Sequence, residues 1–212
     1  MPQPGRRYCA GVKSRVYHLI GLVTIGPIRR LYRFRSRGEE NLPAGGFVLS
    51  ANHMSNLDPW PLAIPLYPER QVRFMAKAEI YRGPLKRVLE DAGAFPVHRG
   101  IGDEQALNRA IELARSGEVV AIFPEGTRRK KGSGRHTARP RTGAARVALT
   151  AGVPLVPAAI GGTDRLTKLG PLRVAYGAPI ELDDLKDMEI RPAAKIATER
   201  LMTAIHSLEE TL

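Results

Sequence analysis

The chain has 212 residues, of which 43% are hydrophobic and 25% charged, enough for one folded domain with a real core and unlike a disordered chain. Its formal net charge of +12 calls for an anionic partner: phospholipid, nucleotide-bearing cofactor, phosphorylated substrate or nucleic acid. The single cysteine, Cys9, excludes an intrachain disulfide and fits a reducing compartment.

Residues 1–38 carry nine Lys or Arg and no acid. Within them an apolar run from Val16 to Ile28 is bracketed by Arg15 and Arg29. The run falls short of the roughly 20 residues that span a bilayer. It ends in Ile28-Arg29-Arg30 with no small-residue cleavage site, unlike a signal peptide. The pattern predicts a partly amphipathic helix with Val16, Leu19, Ile20 and Val23 on one side, broken at Gly26-Pro27. Tyr8, Tyr17, Tyr32 and Phe34 among the arginines suit a membrane interface. A helix packed on the domain with solvated arginines is the plainer alternative. Residues 1–38 are therefore read as a membrane-interface helical segment, and 39–212 as one catalytic domain.

Gly46 to Ala51, GFVLSA, reads as a buried strand, and it leads into NHMSNLD, Asn52 to Asp58. Asp58 followed by Pro59 is a helix-start signal. A histidine just past a strand with a carboxylate at the next helix start suits general base chemistry: the imidazole takes a proton near neutral pH, and the carboxylate orients it. In isolation the pair has a bland reading as well, with His53 satisfying a loop and Asp58 capping a helix. Strands are expected at Val72 to Ala76, Gly93 to Arg99, Glu118 to Phe123, Val153 to Ile160 and Leu172 to Gly177. Helices are expected at Gly83 to Asp91, Asp103 to Ser116, Thr142 to Ala151 and Pro192 to Leu208. Arg128 to Arg141 holds seven Lys or Arg and no acid, and is read as a basic loop.

Alternating strands and helices predict an α/β fold with a mostly parallel or mixed sheet covered by helices. Ligands in such sheets bind beyond the carboxyl ends of the strands. Four polar clusters follow predicted strands: His53 to Asp58, Lys77 to Glu79, His98-Arg99 and Glu125 to Arg128. They are expected on one rim. In FPEGTR, Gly126 permits a close turn, Arg128 offers a planar fork for phosphate, and Glu125 suits holding an arginine or accepting a substrate hydroxyl. No cysteine pair, His-x-x-x-His or dense acidic cluster supports a metal site, and Walker, GxGxxG and GxSxG patterns are missing. The residues thus supply a base but no evident enzyme nucleophile.

Four blocks in order resemble the glycerolipid acyltransferase family, and within it the lysophosphatidic acid acyltransferases: NHMSNLD, GAFPVHRG, FPEGTR and VPLVP. The segment AKAE, Ala76 to Glu79, is similar too, so the likeness covers roughly residues 40 to 165. Where the family usually has Lys-x-Gly, this chain has Arg141-Thr142-Gly143. The resemblance implies direct acyl transfer from acyl-CoA or acyl-carrier protein to the free hydroxyl of 1-acyl-sn-glycerol-3-phosphate, giving phosphatidic acid. His53 would be the base and Asp58 its orienting partner. Arg99 and Arg128 would bind the glycerol phosphate, Glu125, Gly126 and Thr127 would shape the pocket, and Lys77 would be a secondary contact. No resident cofactor is implied, and the expected place is the cytoplasmic face of the cell membrane, held peripherally. Other acceptors of the same class are glycerol-3-phosphate, a lyso-ornithine lipid or a glycolipid. A non-enzymatic binder of anionic lipid or nucleic acid is a different class; aromatics at 6% and the lack of any nucleic-acid motif argue against the latter.

Overall fold

The computed structural model describes residues 15–97, 104–126 and 139–212. Seven strands, β1 (Arg35–Arg37), β2 (Phe47–Ala51), β3 (Val72–Lys77), β4 (Ala94–Val97), β5 (Val119–Ala121), β6 (Leu155–Gly161) and β7 (Arg173–Tyr176), form one sheet in the order β1-β7-β6-β2-β5-β3-β4. All neighbours are parallel except β6 and β7. The sheet is therefore mixed, as the alternation of elements predicts, and β2, β3, β4, β5 and β6 end on one rim.

Side-chain alternation splits the core in two. Phe47, Leu49 and Ala51 of β2 point to the face shared with Val119, Ala121, Val156, Ala158 and Ile160. Val48, Val120 and Leu155 point to the other. That second face is covered by α4 (Glu104–Arg115), α5 (Gly143–Ala151) and α6 (Ile190–Glu209). These helices meet the core largely through alanines: Ala106, Ala110 and Ala114 on α4, Ala144, Ala145 and Ala148 on α5, and Ala193, Ala194 and Ala197 on α6. Small side chains let the helices lie close together while the β-branched strand residues fill the space. The first face is covered by α2 (Pro59–Ala63), the 3-10 turn Ile64–Leu66, and the outlying α1 (Arg15–Leu31) and α3 (Gly83–Asp91).

At the rim opposite the carboxyl ends, Arg70 ties three loops together. Its guanidinium donates to the carbonyls of Pro43 at 2.6 Å, Gly117 at 3.2 Å and Gly45, and lies over the Phe47 ring. The Arg70 carbonyl accepts a hydrogen bond from Tyr17 Oη at 3.0 Å, which fastens α1 to the same point. Tyr67 Oη adds a second tie by donating to the His18 carbonyl at 3.0 Å.

Three expectations change. The N-terminal helix is not broken at Gly26-Pro27; α1 runs through Pro27 to Leu31. Proline there forfeits one backbone bond, but Gly26 has no Cβ to meet the proline ring, which removes part of the usual penalty. Arg35–Arg37, inside the segment assigned to the interface, instead forms an edge strand on β7. Short, charged edge strands resist pairing with foreign strands, and an RSR tripeptide gives no apolar signal to read. Finally, the apolar side named from the sequence faces mostly outward: Val16, Leu19 and Val23 are exposed, and α1 docks instead through Tyr17 and Gly21.

Candidate active site

The turn after β2 is built around one carboxylate. Asp58 is fully buried and its Oδ2 accepts three hydrogen bonds: from the backbone N–H of Met54 at 2.7 Å, the backbone N–H of Ser55 at 2.8 Å, and His53 Nδ1 at 2.7 Å. Its Oδ1 accepts from Thr163 Oγ1 at 2.6 Å. An ionised carboxylate only accepts, so Nδ1 of His53 carries the proton and Nε2 is left with a lone pair. This is the tautomer that a general base requires.

The helix-cap reading of Asp58 is corrected. The residue has helical dihedrals, φ -55° and ψ -35°, and makes no capping bond to α2. Its Oδ2 faces backwards into the 53–55 turn, where three donors converge on it, while Oδ1 faces Thr163.

The His53 ring is fixed from its flat side as well. It stacks on Phe123 with centroids 4.3 Å apart and planes 18° off parallel. Phe123 was expected inside the strand, but β5 ends at Ala121, which frees the ring to lie against the imidazole. Upstream, the Asn52 carboxamide donates to the Ile160 carbonyl at 2.9 Å and accepts from its N–H at 2.8 Å. It thereby continues the β2–β6 ladder by one side chain beyond its last backbone pair.

A cavity of about 1630 Å³ begins at His53. It is bordered by Ile20, Gly21, Thr24 and Ile25 of α1, with Trp60, Tyr67, Phe74 and Leu89. It is also bordered by Lys77, Gly126, Arg141 and Arg146. Its lining thus combines many apolar side chains with three cations, Lys77, Arg141 and Arg146. Arg146 is held by Glu104 through two bonds of 3.1 Å. Arg141 is exposed, and its N–H donates to the Pro124 carbonyl at 2.7 Å. Gly126 has φ +69°, and a Cβ there would lie 2.5 Å from Arg141 Nε. Glycine is needed at that position both for the turn and for the approach of the guanidinium.

Of the residues named from the sequence, His53, Asp58, Lys77, Glu125 and Gly126 fall within the described chain. His53, Lys77 and Gly126 line the same cavity; Asp58 sits behind His53. Glu125 is buried and does not border the cavity. Arg99, Thr127 and Arg128, like His98, His136 and Cys9, lie outside the described residues. His18 serves α1 packing, with its ring edge-on to Tyr17 and Tyr67. Sequence reasoning assigned no role in the site to Asn52, Phe123, Arg141 or Thr163. Asn52 adjoins the base, and Phe123 begins FPEGTR, so proximity was a usable signal for both. Thr163 lies 105 positions from Asp58 and gave none.

A family model described as Acyltransferase matches residues 33–161. The chain is 32% identical over 179 residues to the 1-acyl-sn-glycerol-3-phosphate acyltransferase of Bacillus subtilis (strain 168), covering 82% of this chain and 87% of that protein. It is 33% identical over 144 residues to the chloroplastic 1-acyl-sn-glycerol-3-phosphate acyltransferase BAT2 of Brassica napus, covering 66% of this chain but only 40% of that longer protein. Among solved structures it resembles the 1-acyl-sn-glycerophosphate (LPA) acyltransferase PlsC of Thermotoga maritima, with a TM-score of 0.60 and 22% identity over 92% of this chain and 83% of that one. At that identity the likeness concerns the fold.

Proposed function

Because the chain belongs to the acyltransferase family, we propose that it moves a fatty acyl group from a thioester donor to the free hydroxyl of 1-acyl-sn-glycerol-3-phosphate, yielding phosphatidic acid. The observation that carries this reading is the buried His53–Asp58 pair, whose histidine lines a cavity bordered by both apolar side chains and the cations Lys77, Arg141 and Arg146. Such a cavity suits a molecule that is acyl at one end and phosphate at the other. The acceptor named for the Bacillus subtilis and Brassica napus relatives has that shape.

The steps follow from the groups present. His53 Nε2 takes the proton of the acceptor hydroxyl as its oxygen attacks the thioester carbonyl carbon. Asp58 steadies the imidazolium. The tetrahedral oxyanion collapses, the carbon–sulfur bond breaks, and the thiolate leaves with the proton from His53. No acyl-enzyme forms and no resident cofactor takes part, since the thioester brings the activated group itself. Lys77 and Arg141 are the described cations nearest in role to a phosphate contact, and Arg99 and Arg128 join them in this proposal.

We also place the protein peripherally on the cytoplasmic membrane face. Leu19, Leu22 and Val23 of α1 are 60%, 76% and 59% exposed, and Arg29, Arg30, Arg33 and Arg35 follow them at the surface. Among the described residues no helix is long and apolar enough to cross a membrane. An exposed apolar strip beside cations is an interfacial pattern.

The test is transfer of labelled acyl-CoA, and separately acyl-carrier protein, to a panel of acceptors: lysophosphatidate, glycerol-3-phosphate, lyso-ornithine lipid and a glycolipid. Lysophosphatidate is expected to be acylated at the highest kcat/KM. A stronger preference for any other member overturns the acceptor, and no transfer to any of them overturns the reading.

A further inference from the structure

To orient the base, the Asp58 carboxylate must keep one oxygen on His53. A carboxylate turns about a broad, two-fold terminal torsion, so burial alone does not choose its orientation. Oδ2 is gathered by His53, Met54 and Ser55, all from the same turn. Oδ1 is held from elsewhere: Thr163, just beyond β6 and 3% exposed, donates its hydroxyl to it at 2.6 Å. Thr163 reaches Asp58 because the Asn52 carboxamide holds both backbone groups of Ile160, three residues upstream. The residue before the base thus fixes the strand whose continuation steadies the base's partner.

We propose that Thr163 is a positioning residue of the transfer, locking the rotation of the Asp58 carboxylate so that Oδ2 stays on His53 Nδ1. The inference rests on His53 acting as the base. Without the hydroxyl, Oδ1 is a buried charged oxygen lacking its donor, and the carboxylate turns to share the 54–55 amides between its two oxygens. The imidazole then loses its fixed direction while the substrate contacts stay in place. Thr163 borders the cavity, but its hydroxyl is engaged by Asp58, so its effect belongs to turnover and not to acceptor binding.

The experiment compares full-length Thr163→Val, Thr163→Ser and His53→Ala with the native protein, using labelled acyl-CoA and 1-acyl-sn-glycerol-3-phosphate in mixed micelles. Valine keeps the shape and removes the donor; serine keeps the donor. Partners one step behind a reacting group commonly matter about 10- to 100-fold at metal sites, and the same scale is expected for the fall in kcat of Thr163→Val. The acceptor KM should stay within about two-fold, since uniform binding is untouched. Thr163→Ser should recover most of the rate. In an Asp58→Asn background the valine substitution should add little, as coupled residues are not additive. Should Thr163→Val melt early, Thr163→Ala, which also removes the hydroxyl donor, makes the same comparison. Native kcat in a folded Thr163→Val, a loss confined to KM, or serine no better than valine would each overturn the positioning role alone, provided His53→Ala is inactive. An active His53→Ala overturns the base and this inference with it.

Discussion

His53 and Asp58 have separate consequences when removed. His53→Ala should lower kcat by about 10²- to 10⁴-fold, the usual loss for a general base, with the melting temperature little changed. Steady-state transfer beside a thermal melt checks both, and a folded variant with native turnover would sink the base assignment. Asp58→Ala should lose activity and stability together. It strands the N–H groups of Met54 and Ser55 and the Thr163 hydroxyl, at roughly 1–3 kcal/mol for an unsatisfied group. That cost arises in the 53–55 turn and not at the start of α2. Gly126→Ala should impair use of a phosphorylated acceptor more than it alters folding, because the new methyl displaces Arg141. The measurement is acceptor KM for lysophosphatidate against an uncharged monoacylglycerol; an equal change for both would rule out a phosphate role for Arg141. At this scale the base and its partner were readable because they are five residues apart in one turn. Phe123 was hidden by an expected strand that ends two residues early.

The element that depends most on a few contacts is α1. It meets the domain at Gly21, where a Cβ would stand 2.2 Å from Cε2 of Tyr67. Tyr67 cannot simply swing aside, since its hydroxyl is bonded to His18. Gly21→Ala should therefore loosen α1, seen as faster amide hydrogen exchange over 16–25 while β2 and β6 stay protected. Unchanged exchange there would show that Tyr67 yields freely. Tyr17 makes the docking pH-sensitive. Burial pushes its phenol from 10.0 up to about 12. Below pH 10 both folded and unfolded forms keep the proton, and the contact is fully present. Between pH 10 and about 12 the unfolded form ionises first and binds fewer protons, so stability falls as pH rises. A Tyr17→Phe variant should lose that part of the alkaline slope in a pH series of melts.

On the scale of the whole molecule, the exposed strip of α1 is followed in the chain by an exposed cationic stretch, and α1 also lines the cavity through Ile20, Gly21, Thr24 and Ile25. Docking that strip on a bilayer would let an acyl chain pass between membrane and cavity without crossing water. Each cation near an anionic leaflet contributes about 1 kcal/mol. Engagement of Arg29, Arg30, Arg33 and Arg35 would thus give up to about 4 kcal/mol, reversible and salt-sensitive. Leu19→Asp with Leu22→Asp should reduce co-sedimentation with phosphatidylglycerol vesicles and slow transfer to vesicle-borne acceptor. Transfer to a short-chain soluble acceptor should fall much less, since both residues are exposed and neither borders the cavity. Equal vesicle binding by variant and native protein would remove α1 as the contact.

The sequence by itself determined the alternation of strands and helices, the β2 turn with its histidine and acid, and the reaction class. Each of these is local: apolar periodicity, a short motif, a block of a few residues. Most interior strands and helices fell within a few residues of their expected bounds, from GPLKRVLED on α3 to the closing helix α6. The tertiary structure alone decided which partners those local pieces meet. Thr163 on Asp58, Asn52 on Ile160, Phe123 on His53 and Tyr67 on Gly21 are contacts made when separate elements pack. The parallel run from β6 to β4 aligns strand ends that are far apart in the chain, and no local pattern records which side chains then touch. The direction faced by α1 was settled in the same way: its residues have an apolar majority on more than one side, and the packing of Tyr17 and Gly21 selects which is left outside.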